Sequence, residues 1–165
     1  MTTLQVLPID PVRLAAMVRS GHDDLDNPIA PRPVEGWEPL RCCLRLAGAG
    51  DDIALVAYRP FEQRSVWSEV GPVFVHLSGC PGYADRRRLP DQLRSGPRVL
   101  RTYHADGSMS YDDIAVVPHG EDLEAVLLDL LSRPTVGLVH VRSAEAQCFT
   151  YEVRAAPEAQ ELGQR

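Results

Sequence analysis

The sequence predicts a single α+β domain built on a largely antiparallel sheet with two main helices. Apolar segments of strand length recur along the chain, and turn residues separate most of them. Two helical segments lie apart from these strands instead of alternating with them, as they would in a parallel sheet. The length of 165 residues suits one domain that buries a sizeable core without disulfides or metal. These three observations set the fold class.

The first elements are a short edge strand over residues 4–7 and a helix that follows it. Asp10 offers an N-cap carboxylate, Pro11 fits the first helical position, and Gly21 is typical of a helix end. Residues 21–38 are rich in Asp, Pro and Gly, which predicts irregular coil.

The rest of the chain is rich in predicted strands. They cover residues 53–58, 73–77, 99–104, 114–117, 136–142 and 148–153. The continuous apolar run 53–58 predicts a central strand that is buried on both faces. Asp106-Gly107 predicts a hairpin between the third and fourth of these strands.

The second helix is predicted over residues 121–133. Its leucines and valine form one stripe, its first turn is acidic, and Pro134 ends it. Residues 156–165 are rich in Glu, Gln and Ala, and we expect them to form a frayed C-terminal tail.

Composition narrows the classes of partner and cofactor. The net charge of −6 and the lack of a long Lys/Arg block argue against nucleic acid. We expect a cytoplasmic protein with no membrane partner, because neither a signal peptide nor a long apolar segment is present. The four cysteines are expected to be free thiols, and without C-x-x-C spacing we expect no metal. No nucleotide-binding motif occurs, so no organic cofactor is expected, and the oligomeric state stays open.

Strand alternation gathers a set of polar side chains. In the strand 136–142, His140 and Arg142 point to the face opposite Val139 and Val141. Arg101 and Tyr103 share a face in the same way, and His76 opposes its apolar neighbours. If the three strands are neighbours, one sheet face carries His76, Arg101, Tyr103, His140 and Arg142.

These residue types suit an anionic substrate. Arginine binds carboxylate or phosphate with two hydrogen bonds, histidine transfers protons at neutral pH, and tyrosine donates to a developing oxyanion. Cys80 lies in a turn four residues after His76, where a lowered pKa would make it a nucleophile. A polar sheet face in contact with water is the simpler alternative. A metal site of His76, Cys80 and His140 has no supporting ligand spacing.

The chain also resembles a known bacterial family over residues 39–154. The matching motifs are Arg41-Cys42-Cys43-Leu44-Arg45, Ala57-Tyr58-Arg59-Pro60-Phe61, Gly71-Pro72-Val73-Phe74-Val75-His76, Leu100-Arg101-Thr102-Tyr103 and Val139-His140-Val141-Arg142-Ser143-Ala144 closing on Cys148-Phe149. The family is domain of unknown function number 1203. The resemblance implies one intracellular domain with no assigned reaction. Leu40, Ser143 and Gln147 depart from the residues usual in this family.

The leading functional hypothesis is a small-molecule enzyme of cyclase, isomerase or hydrolase type, with cofactor-independent acid/base chemistry on an anionic or carbonyl-bearing substrate. His140 would transfer the proton, Tyr103 would stabilise the oxyanion, and Cys80 would be a nucleophile. Substrate binding is assigned to Arg41, His76, Arg101 and Arg142. The alternative is a non-catalytic ligand-binding or regulatory module. A concave pocket favours the enzyme and a flat polar face favours the alternative.

Overall fold

The computed structural model describes residues 2–157, which form strands and two helices in a mixed order. The elements are β1 (Leu4–Leu7), α1 (Pro11–Ser20), β2 (Pro39–Leu40), β3 (Arg45–Leu46), β4 (Ile53–Tyr58), β5 (Gly71–His76), β6 (Arg98–Tyr103), β7 (Ala115–Val117), α2 (Leu123–Ser132), β8 (Leu138–Ser143) and β9 (Phe149–Ala155). The predicted α+β class is confirmed. Most of the predicted tail, 156–165, lies outside the described residues.

The strands form two sheets. The larger sheet has the order β1-β9-β8-β6-β7 and is antiparallel throughout. The smaller has the order β3-β2-β5-β4, in which Leu40 of β2 pairs in parallel with Phe74 of β5. β1 is an edge strand, as predicted. β5 belongs to the smaller sheet, so the condition that it neighbours β6 and β8 is not met, and His76 does not share their sheet face.

β4 lies at an edge, so its prediction as a central strand buried on both faces is wrong. Leu55, in the middle of this strand, is 38% exposed, whereas Val56 is buried. An apolar run shows that the side chains on both faces of a strand are apolar, but whether a face is buried depends on what packs against it.

β2 and β3 were not predicted, because two residues are too short to form a pattern.

Local capping signals set the ends of both helices. The Asp10 carboxylate accepts the Val12 N–H at 2.7 Å, and Gly21 ends α1 with a φ of 72°. α2 begins after Asp122, whose carboxylate accepts the Glu124 N–H at 3.0 Å. Within residues 2–157, neither helix has the length and apolar character to cross a membrane.

Two apolar clusters hold the layers together. α2 packs Leu127 and Leu130 against one face of the larger sheet, beside Val139 and Val141. The second cluster joins α1 to the smaller sheet and includes Phe149 from β9. The other face of the larger sheet therefore lies against the smaller sheet, and the alternative of a solvated polar face does not hold.

Gly137, directly before β8, lies against the backbone of the turn that follows β6. A Cβ at this position would lie 2.7 Å from the Ala105 nitrogen. We expect Gly137→Ala to lower the free energy of unfolding by about 1–3 kcal/mol, because backbone atoms cannot yield as a flexible side chain does. Urea unfolding measures this loss. Gly71→Ala is the control, since nothing lies within 4 Å of its Cβ, and equal losses in the two variants would contradict the packing argument.

Candidate functional site

β6 and β8 bring four of the predicted site residues together on the face that meets the smaller sheet. Arg101 and His140 are direct partners in the antiparallel register. Tyr103 and Arg142 lie two residues farther along their strands on the same face, and the Tyr103 and His140 rings are 4.8 Å apart. Because neighbouring strands hold all four residues, the backbone fixes their spacing.

The two arginines hold a carboxylate of the chain itself. Arg101 donates from Nη1 to Oε1 of Glu69, and Arg142 donates from Nη2 to Oε2 at 2.5 Å. Arg142 is buried, whereas the Glu69 side chain is 42% exposed. Glu69 lies in the connection between β4 and β5. The arginine pair thus has the geometry of an anion clamp with one carboxylate in place.

His140 is fully buried among aromatic rings. The rings of Phe61 and Tyr103 are 4.8 Å away and that of Phe149 is 5.0 Å away. Its Nε2 lies 3.2 Å from Oε2 of Glu152. Burial lowers the pKa of His140, and the neighbouring Glu152 carboxylate opposes this shift without reversing it. The imidazole is therefore neutral at pH 7 and donates its Nε2 proton to Glu152.

Two polar atoms of this group, Nδ1 of His140 and Nε of Arg142, are buried without a hydrogen-bond partner among residues 2–157. Buried polar atoms nearly always have partners, so each calls for a water or a ligand atom. The Tyr103 hydroxyl makes no hydrogen bond of good geometry, but it lies close enough to the Arg142 guanidinium to interact with it. Burial also raises the pKa of Tyr103, which keeps its hydroxyl protonated.

A cavity of about 370 Å³ opens beside the arginine pair. Arg101, Arg142, Glu69 and Phe149 are among its lining residues. Its size lies near the lower end of the range of small-molecule sites. The polar face is thus concave at the arginines, whereas His140, with no exposed surface, lies behind the cavity wall.

The third predicted arginine, Arg41, is not among the residues that line this cavity. It is buried, and its guanidinium donates to the Phe149 carbonyl at 2.8 Å and to the Pro39 carbonyl. Burial lowers the pKa of Arg41 to about 10. Its contacts link the β2 region to β9, and its assignment to substrate binding stays a prediction.

His76 and Cys80 belong to a second cluster, with Cys42 and Cys43. One ligand-type atom from each of these four residues lies within 4.8 Å of the others. Nδ1 of His76 is 3.3 Å from Sγ of Cys42 and 3.7 Å from Sγ of Cys43. A hydrogen bond from the Cys42 thiol lowers the pKa of Cys43, and the same bond raises the pKa of Cys42. The predicted nucleophile Cys80 is thus grouped with other thiols and not with His140.

Comparison with known proteins identifies a family to which no reaction is assigned. A family profile described as "Protein of unknown function (DUF1203)" matches residues 37–155. The chain belongs to the DUF1203 family. No curated protein and no solved structure matches the chain. The DUF1203 region contains all the residues of the group around His140 and of the cluster of His76 with the three thiols, whereas β1 and α1 precede it. The resemblance seen in the sequence over 39–154 is confirmed.

Several residues of the DUF1203 site were missed by sequence reasoning. Glu152 was detectable, because a carboxylate interrupts the apolar strand 148–153 at a position that faces His140. Glu69 and Phe61 lie in a connection without strand or helix periodicity, so no pattern indicated them. Cys42 and Cys43 are adjacent, a spacing that does not resemble a metal-ligand pair.

Proposed function

We propose that this DUF1203 protein is a small-molecule enzyme that binds an anionic or carbonyl-bearing substrate at Arg101 and Arg142 and transfers a proton with His140. The observation that carries the proposal is the pair of partnerless buried atoms, Nδ1 of His140 and Nε of Arg142, on one face of β8. A fold that leaves such atoms unpaired loses stability unless something binds there.

The arginine pair supports the anionic half of the proposal. In the structure, Arg101 and Arg142 each bind one oxygen of the Glu69 carboxylate. A substrate carboxylate or phosphate has the same arrangement of oxygens and would take the place of Glu69. Displacement is feasible because Glu69 is half-exposed and lies on a connection between strands.

The His140–Glu152 pair supports the proton-transfer half. With the Nε2 proton donated to Glu152, Nδ1 carries a free lone pair that can accept a proton from the substrate. In a carbonyl-bearing substrate, this proton would come from the carbon next to the carbonyl group. The electron pair of the broken C–H bond would then move to the carbonyl oxygen. The protonated Tyr103 hydroxyl is the donor that would stabilise the resulting oxyanion.

A non-catalytic ligand-binding module is the second candidate, favoured by the enclosure of His140. Phe61 covers the imidazole, and Glu69 occupies the arginines. Both residues belong to the β4–β5 connection, residues 59–70. A substrate reaches His140 only if this connection moves, whereas an anion bound at the cavity mouth needs the displacement of Glu69 alone.

Removal of Glu69 tests the binding site. We expect Glu69→Ala to lower the free energy of unfolding by about 1–2 kcal/mol, because two neighbouring guanidinium groups lose their shared carboxylate. Acetate, malonate or phosphate should then restore the melting temperature in a saturable manner, because each supplies the missing anion. Thermal melting at constant ionic strength measures both effects.

The matched control is Glu62→Ala, an exposed carboxylate in the same connection. It should melt like the unaltered protein and should not respond to the anions. If the anions stabilise Glu69→Ala no more than they stabilise the unaltered chain, Arg101 and Arg142 are not an anion-binding pair and the proposed substrate class is wrong.

A further inference from the structure

We propose that Cys42, Cys43, His76 and Cys80 form a zinc site, with three thiolates and one imidazole as ligands. In a tetrahedral zinc site, sulfur atoms lie about 3.8 Å apart and a sulfur and a nitrogen about 3.6 Å apart, as zinc–ligand bond lengths require. The two Sγ–Nδ1 distances of 3.3 and 3.7 Å lie close to this value. All four ligand atoms lie within 4.8 Å of one another. This proposal reverses the expectation drawn from ligand spacing along the sequence.

The sheet pairing explains how distant residues meet. Cys42 and Cys43 lie in the turn between β2 and β3, and His76 is the last residue of β5. The parallel pairing of Leu40 with Phe74 places this turn beside the end of β5. The loop that follows β5 carries Cys80. The ligands thus come from two neighbouring parts of one sheet.

A carboxylate orients the histidine as metal-binding histidines require. Nε2 of His76 lies 3.2 Å from Oδ1 of Asp51 and 3.3 Å from Nη2 of Arg45. Asp51 is itself held by Arg45, through bonds of 2.7 and 2.9 Å. Zinc bound at Nδ1 requires the tautomer with the proton on Nε2, and Asp51 is the acceptor for that proton. Such a carboxylate–histidine pair is the usual support of a zinc-bound imidazole.

Two backbone N–H groups point at the sulfur atoms. The His76 N–H donates to Sγ of Cys42 at 3.3 Å, and the Gly82 N–H donates to Sγ of Cys80 at 3.4 Å. Such donors would offset part of the negative charge that zinc-bound thiolates carry. Among the divalent ions, a set of three soft sulfur ligands and one nitrogen in tetrahedral arrangement selects zinc.

The site has an entry path. Cys42, Cys43 and His76 are buried, whereas Cys80 is exposed. Cys42, His76 and Cys80 line a cavity of about 400 Å³, which Leu14 of α1 also lines. The metal can therefore reach the three buried ligands through this cavity, and Cys80 closes the site as the fourth ligand.

Elemental analysis of the full chain, expressed in zinc-supplemented medium and dialysed without chelator, tests the proposal. We expect about one zinc per chain. Replacement of zinc by Co²⁺ should give the intense visible bands of tetrahedral cobalt together with sulfur-to-cobalt charge transfer.

Two variants test the ligands. Cys80→Ser should lower the affinity for zinc by at least about 10-fold, and Asp51→Asn by about 10- to 100-fold, as measured by competition with a chromophoric chelator.

Cys148→Ser is the matched control, a half-buried cysteine outside the cluster whose loss should leave zinc binding unchanged. Variants of the buried ligands risk failing to fold, so the exposed Cys80 carries the test. A chain without zinc or cobalt bands overturns the proposal, and so does equal affinity in Cys80→Ser and Cys148→Ser. A disulfide between Cys80 and Cys42 or Cys43 in freshly purified protein overturns it as well.

Discussion

His140→Ala is expected to lower the free energy of unfolding by about 2–4 kcal/mol. The imidazole has no exposed surface and lies against the rings of Phe61, Tyr103 and Phe149, so truncation opens a cavity. Glu152 also loses its bond to Nε2. The melting temperature should fall by roughly 5–15 °C, the range that such a loss gives in a chain of this size. The exposed His119→Ala is the control, and a His140→Ala variant that melts like it would contradict the enclosure of His140.

The variant His140→Gln distinguishes the effect of His140 protonation on stability from the effect of its packing. Because burial depresses the pKa of His140 below its ordinary 6.5, the unfolded chain binds a proton there before the folded chain does. The contribution of His140 to stability is therefore complete above pH 6.5 and is lost as the pH falls below it, by at most about 1.4 kcal/mol per pH unit. The variant should lack this slope. Urea unfolding of both proteins between pH 7 and 5 isolates the difference, and parallel profiles would contradict a lowered pKa of His140 in the fold.

The same variant tests the proposed catalytic role. Glutamine retains a donor for Glu152 but cannot transfer a proton. If His140 is the base, turnover of a substrate should fall by about 10²- to 10⁴-fold at nearly unchanged stability. A Gln variant that keeps its activity would favour the binding module.

Arg41→Ala is expected to cost about 2–4 kcal/mol of unfolding free energy. The buried guanidinium donates to the carbonyls of Phe149 and Pro39, and both acceptors lose a charged donor when the side chain is removed. Thermal and urea unfolding measure the loss. Arg19→Ala, which removes an exposed arginine, should change little. If Arg41→Ala has ordinary stability but binds anions less tightly, the result supports the assignment of Arg41 to substrate binding.

The sequence predicts best those features whose causes are local. Asp10 and Gly21 act on the backbone within one helical turn, and α1 begins and ends where they indicate. The position of β4 depends on which strand pairs with it, and nothing in its own residues reports that. The two-residue strands β2 and β3 exist only through their pairing partners.

In the candidate site, too, the features with local causes could be predicted from the sequence. Alternation along β6 and β8 placed Arg101, Tyr103, His140 and Arg142 on a common face, and the observed register agrees. The roles of these residues stay predictions. The covering of that face could not be foreseen, because it comes from the docking of a second sheet. The thiol cluster was missed for a related reason, since the β2–β5 pairing that assembles it spans distant parts of the chain.

Glu69 has a consequence for the concentration of ligand that the site requires. A tethered carboxylate competes with any incoming anion as though it were present at an effective concentration on the order of millimolar. A simple monocarboxylate at micromolar levels would leave Glu69 in place on Arg101 and Arg142. A molecule with a second anionic or hydrogen-bonding group, able to engage the partnerless Nε of Arg142 as well, would compete better. If the proposed site binds anions, the internal carboxylate would therefore select for abundant or multidentate ones.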